Sequence, residues 1–210
     1  MRHWVLWLLL VAGLLGGLNW YLHEREVQHP PGALAVGEPT IALGSELSPW
    51  TDRHGFRYRA LGRFYGRVVV VARHNYSIGE FAHLAPTDLA IVWGPLSDPA
   101  AYGDLKFDQR GSPLAGRFVF PEVKRGSALA ARPFAETIAF LLANLTHVHT
   151  IPADSAIASR LASIRPGQVV EFSGILVDVT APSGGRYTSS LALHDYNCEI
   201  AWIDALELVD

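Results

Sequence analysis

The chain has 210 residues, 50% hydrophobic and 18% charged, with a formal net charge of −3. Such a composition can build a packed core and excludes global disorder, and the charge excludes a whole-chain electrostatic affinity for nucleic acid. A single cysteine, Cys198, excludes an internal disulfide framework and any multi-cysteine zinc site.

The first element is WVLWLLLVAGLLGGLNWYL, residues 4–22, an apolar run broken only by Asn19. At about 1.5 Å per residue it nearly matches a ~30 Å hydrocarbon core, and Trp4, Trp7, Trp20 and Tyr21 lie near its ends as interfacial aromatics do. A cleaved signal peptide would place a small-residue site close behind the run, whereas Ala33-Leu34-Ala35 lies far beyond it. The expectation is therefore a transmembrane signal anchor over residues 1–22. Arg2 before the span, against Arg25 balanced by Glu24 and Glu26 after it, favours an inner-membrane, single-pass, N-in orientation with the bulk of the chain extracytoplasmic. Residues 23–50, with Pro30, Pro31, Pro39 and Pro49, read as a semi-extended linker. Residues 51–210 are left as one globular domain.

That domain reads as α+β and mostly β. GRVVVVAR, residues 66–73, and residues 88–93 are short buried strands, and Phe118 and Phe120 share a face of a third over residues 116–120. Two helices follow. One begins at Pro133 with Phe134, Ile138, Leu141 and Leu145 at helical spacing; the other is capped by Asp154 and carries Ile157, Leu161 and Ile164. In QVVEFSGILVDV, Val170 and Phe172 share a face, but beyond Gly174 the apolar phase moves to Ile175, Val177 and Val179, as at a bulge. After a turn at residues 182–185, a strand over residues 186–193 returns. A last strand sets Ile200, Trp202, Leu206 and Leu208 against Glu199 and Glu207. This bent C-terminal meander, residues 168–210, has the character of a small closed barrel, an OB-like barrel being one form it could take.

Two constellations could carry chemistry. His147 and His149 form an H-x-H pair whose rings share one side of an extended segment, as two ligands of one metal do. His194, Asp154, Asp195 or Cys198 could complete the shell with zinc or copper. Six arginines lie between Arg53 and Arg73, with Phe56, Tyr58, Phe64 and Tyr65 interleaved and no acid among them from Arg53 onward. Arg57, Arg59, Arg63 and Arg67 are the candidate contacts to an anionic envelope polymer or lipid head groups, the bland alternative being solvated positions around buried aromatics. Nucleophile elbows, phosphate loops, dinucleotide fingerprints and H-E-x-x-H are all missing from the sequence.

DLAIVWGPLSD, HVHTIPAD and SSLALHDYNCEI together resemble a family of uncharacterised bacterial membrane-anchored proteins. Trp93, Gly94, Pro95, Ser97 and Asp98 fit its first motif, His149, Ile151 and Pro152 its second, and Ser189, Ser190, Asp195, Cys198 and Glu199 its third. His147 stands where the family has Asn, and the segment from Asp195 to Cys198 is shorter than the family's. The resemblance implies a membrane anchor and a shared surface near Trp93, His149 and Asp195, but no activity. The combined expectation is a membrane-tethered binding or scaffold module without a cofactor. The alternatives are a metal-dependent hydrolase using His147 and His149, or an accessory subunit with a membrane protein partner.

Overall fold

The β-branched and aromatic residues between positions 57 and 75 form the longest strand of the protein, and the rest of the fold is arranged around it. The computed structural model describes residues 3–44, 47–107, 121–195 and 197–209, with the side chains at 3, 19, 20 and 22–24 outside that description. In chain order the elements are α1 (His3–Glu24), β1 (Thr40–Leu43), β2 (Trp50–Thr51), β3 (Arg57–Asn75), α2 (Phe81–Leu84), β4 (Thr87–Val92), α3 (Pro99–Tyr102) and β5 (Leu105–Phe107). They continue with β6 (Pro121–Val123), α4 (Phe134–Leu142), β7 (Leu145–Pro152), α5 (Ser155–Ser163), β8 (Val169–Thr180), β9 (Arg186–Tyr187) and β10 (Glu199–Val209). The fold is α+β and mostly β.

Strand pairing forms a closed circuit. β3 pairs antiparallel with β4, and β4 antiparallel with β7. β7 runs parallel to β10, β10 antiparallel to β8, and β8 returns antiparallel to β3. The interior holds Phe64, Val68, Leu89, Val148, Leu176 and Ile203, and α5 adds Ile157 and Leu161. Asp154 caps α5 as its sequence suggests, accepting from the Ile157 amide at 2.8 Å. Between β4 and β7 the chain leaves the barrel, and Leu96, Tyr102, Leu129 and Leu141 from this excursion pack with Val69, Val71 and Val92 of β3 and β4.

Several expectations are corrected. Among the described residues no helix is long and apolar enough to cross a membrane. The expected transmembrane span at residues 4–22 is therefore not found as such, although α1 is helical and carries apolar side chains. Those side chains are exposed, Trp7 at 68% and Leu9 at 65%. Residues 23–50, read as a semi-extended linker, are tied to the domain at several points. The Val27 amide donates to Pro166 O at 2.7 Å and Gly94 N donates to Ala35 O at 2.7 Å, while β1 pairs with β3. α4 ends at Leu142, so Leu145 opens β7 instead of closing a helix, and Phe134 is 82% exposed. The return strand expected at residues 186–193 is only the two-residue β9. The strand expected at residues 116–120 lies outside the described residues.

The phase change in β8 has a different cause from a bulge at Gly174. Leu176 faces the barrel interior, whereas Val177 and Val179 pack outside it with Phe56, Phe81, Ile151 and Ile200. The strand keeps its alternation; its buried side changes from inner to outer where α2 covers it. The register shifts fall in its neighbours, with Leu61 extra in β3 and Asp204 extra in β10. Gly174 is required by close approach, because a Cβ there would lie 2.4 Å from Trp202 O. Gly174→Ala is expected to destabilise the protein by about 2 kcal/mol through forced separation of β8 and β10. Urea unfolding of the full-length chain in detergent measures this, and a loss under about 0.5 kcal/mol would show that the two strands part freely.

Candidate functional site

Alternation in β4 and β7 sends Leu89, Ile91 and Val148 into the barrel and turns Asp88, His147 and His149 outward. The antiparallel register places Asp88 opposite His149, and the two side chains meet: His149 Nδ1 donates to Asp88 Oδ1 at 2.6 Å. Tyr76, just beyond β3, donates its hydroxyl to Asp88 Oδ2. His147 Nε2 is 3.8 Å from the same oxygen, and its Nδ1 is 3.3 Å from the Sγ of Cys198, which arrives on the loop before β10. One ligand atom from each of His147, His149 and Cys198 lies within 4.8 Å of the others. Phe81 of α2 covers the group, its ring 5.2 Å from that of His149.

Burial sets the protonation states. It pushes the His147 imidazole down to about 4, although the Asp88 carboxylate acts in the opposite direction. It also pushes the Cys198 thiol up to about 12, with the nearby Glu199, Asp88 and Asp195 adding to the effect. The order thiol, imidazole, carboxylate is that of a cysteine nucleophile, but activation requires a thiolate beside an imidazolium. Both groups are shifted toward neutrality instead, so the arrangement does not prepare Cys198 for attack.

The opposite side of β10 holds a second buried acid. Glu199 shares the inward side with Ala201 and Ile203 and is fully buried, where the sequence pattern had set it on the exposed face. Parallel pairing to β7 causes this, bringing Glu199 beside Val148 so that Thr146 can donate to Oε2. Oε1 has no hydrogen-bond partner. Burial pushes this carboxyl up to about 8, against the Thr146 hydrogen bond that favours its ionised form.

The other expected site residues scatter. Trp93 is 2% exposed and belongs to the barrel core, not to a pocket mouth. Its motif is structural. Gly94 has φ +56° and a Cβ there would meet Asn144 Oδ1, Ser97 Oγ accepts from the Ala35 amide at 3.0 Å, and Asp98 caps α3 through the Ala100 amide. Asp195 stays within its own loop. Burial would raise its carboxyl, but hydrogen bonds from Ser190 and Asn197 outweigh that and hold it below the usual carboxylate range. The arginines alternate outward while Phe56, Tyr58 and Phe64 are buried. Acids from other strands meet them: Asp178 at Arg59, Asp204 at Arg63 at 2.7 Å and Glu171 at Arg67 at 3.9 Å. Arg57 is exposed beside Thr180. Of the expected residues, the fold gathers only His147, His149 and Cys198. Asp88 and Tyr76 were missed. A carboxylate inside the wholly buried strand TDLAIV was the available signal, since such a group needs partners.

A separate open cleft of about 740 Å³ is lined by Arg53, His54, Tyr58, His83, Asp154 and Trp202, among others. Its aromatic residues are Tyr58 and Trp202, edge-on at 5.5 Å; Trp50, outside the lining, stacks on Tyr58 at 5.2 Å and lies edge-on to Trp202 at 5.6 Å.

The two buried groups give opposite pH dependences. Glu199 is raised from 4.5 to about 8, so its contribution is complete below pH 4.5 and lost as pH rises to 8. His147 is lowered from 6.5 to about 4, so its contribution is complete above pH 6.5 and lost as pH falls to 4. The effects oppose one another between pH 4.5 and 6.5, and Glu199 acts alone between pH 6.5 and 8. Over that upper window stability is expected to fall by about 1 kcal/mol per pH unit. Glu199→Gln should flatten this limb in urea midpoints measured across it; an unchanged slope would remove Glu199 as the source.

Comparison with known proteins found no matching protein family, no similar curated protein and no similar solved structure, so any functional reading rests on this geometry.

Proposed function

We propose that the chain is a membrane-tethered, extracytoplasmic binding module built on an OB-type barrel, and that its ligand is an anionic envelope polymer. The observation that carries the reading is the barrel circuit. Numbered as barrel strands, β3, β4, β7, β8 and β10 are first to fifth, joined in the order first, second, third, fifth, fourth, first. The single parallel contact joins third to fifth, and α5 connects third to fourth. Barrels of this type bind extended polymers across the second and third strands and the adjoining loops. That comparison is one of architecture, and the chemistry comes from the cleft beside α2.

The cleft places Trp202 beside the cationic side chain of Arg53 and the imidazoles of His54 and His83, and its acids Asp52 and Asp154 are engaged by the Tyr58 hydroxyl and the Ile157 amide. An indole wall suits the face of a sugar ring, and a guanidinium suits a carboxylate or sulfate on it. The arginines of β3 serve this ligand less well, because Arg59, Arg63 and Arg67 face acids of β8 and β10. The tether is assigned to α1 on the exposure of its apolar side chains, not on a membrane span. A metal-dependent hydrolase is the weaker reading, since His147 and His149 are 4% and 8% exposed and a substrate would have to displace Phe81 to reach them.

Titration of the detergent-solubilised full-length protein with heparin, with neutral dextran as control, tests the ligand class. Binding to heparin alone is expected, weakened about fivefold or more by Arg53→Ala and by Trp202→Ala, which corresponds to about 1 kcal/mol each. Equal binding to both polymers, or variants that bind as the parent does, would overturn it. The tether is tested by washing cell membranes with alkaline carbonate: the full chain should stay with the membranes, and a chain lacking residues 1–22 should be released. Release of the full chain would refute the anchor.

A further inference from the structure

We propose that His147, His149 and Cys198 bind a thiophilic divalent cation, Zn²⁺ foremost, with the carboxylate of Asp88 orienting the imidazoles. The site is distinct from the aromatic cleft and independent of the ligand proposed for it. Three geometric facts carry the inference. First, His147 Nδ1 and Cys198 Sγ are already 3.3 Å apart. With Zn–N and Zn–S bonds of about 2.05 and 2.3 Å, that separation corresponds to an N–Zn–S angle of about 100°, close to tetrahedral. Second, Asp88 Oδ1 accepts from His149 Nδ1, which fixes the tautomer and leaves Nε2 with its lone pair outward. A carboxylate behind a histidine is the usual support of a metal-binding imidazole, raising its basicity and holding its ring plane. Tyr76 in turn fixes the carboxylate through Oδ2. Third, one nitrogen of each imidazole and the Cys198 sulfur lie within 4.8 Å of one another, so a small closure brings the three residues onto one ion.

Donor chemistry selects the ion. One thiolate and two imidazoles suit zinc or copper and reject magnesium and calcium, which require oxygen. Charge balance then sets divalent ions apart from monovalent copper. The Asp88 carboxylate and a Cys198 thiolate together match a divalent cation, whereas monovalent copper would leave a net negative charge in a site where Asp88 is 1% exposed. Burial also suits an ion that holds structure. Cys198 lies on the loop leading into β10, and His147 and His149 lie on β7, so the ion would fasten that loop to the neighbouring strand. Metal occupancy would then stabilise the folded chain by mass action.

The test uses the full-length protein in detergent with ZnCl₂ as the probe, followed by metal analysis after dialysis. About one zinc per chain is expected, and CoCl₂ in its place should give thiolate-to-cobalt charge-transfer absorption. Cys198→Ser should abolish that absorption and weaken zinc binding about tenfold or more, whereas His194→Ala should bind as the parent does. Absence of bound zinc, or Cys198→Ser binding zinc like the parent, would overturn the site. Retention of Cu⁺ without Zn²⁺ would overturn the choice of a divalent ion. The cobalt spectrum of the unmodified protein decides whether the thiolate is a ligand even if a variant does not fold.

Discussion

β3 pairs with two other barrel strands along its length, and that exchange at Val69 closes the barrel. Residues 57–69 pair with β8, residues 69–75 pair with β4, and Val69 takes part in both ladders. A strand of 19 residues can do this only by coiling, so that its leading half faces one side of the circuit and its trailing half the other. Closure leaves no long open edge in the five barrel strands, and β1 covers the stretch of β3 from Gly62 to Tyr65 that β4 does not reach. Every later feature depends on it. The register of β4 against β7 sets Asp88 opposite His149, and the parallel seam between β7 and β10 turns Glu199 inward.

The seam also explains why two acids so close in the fold differ in character. Asp88 is buried but answered on both oxygens, by His149 and Tyr76. Glu199 is buried and answered on one. A carboxylate with both oxygens satisfied can position an imidazole; one left half-satisfied does better as the neutral acid. The outer face of β7 thereby carries an oriented imidazole, while the inner end carries a destabilising group sensitive to alkali.

Legibility in the sequence followed the range of the interactions. α5 was readable because its cap and its stripe, Asp154 with Ile157 and Leu161, are local. β4 and most of β8 were readable because β-branched runs are local as well. The side on which β8 is buried was not readable, since Val177 and Val179 are covered by Phe56 and Phe81 from distant segments. The arginine stretch looked uncompensated because its acids, Asp178, Glu171 and Asp204, come from strands more than a hundred residues away. At the candidate site the H-x-H pair was legible and so was Cys198 as a completing donor, but Asp88 read as part of a strand. Only the β4–β7 register converts it into a partner for His149.

The binding of Val27 to Pro166 has a consequence for reach. α1 ends at Glu24, three residues earlier, and three extended residues span about 10 Å. Whatever holds α1 therefore holds the barrel on a short leash. The barrel can then sweep only a small volume about the helix end. Lengthening the chain between Glu24 and Val27 would widen that volume, leaving every contact within the barrel unchanged.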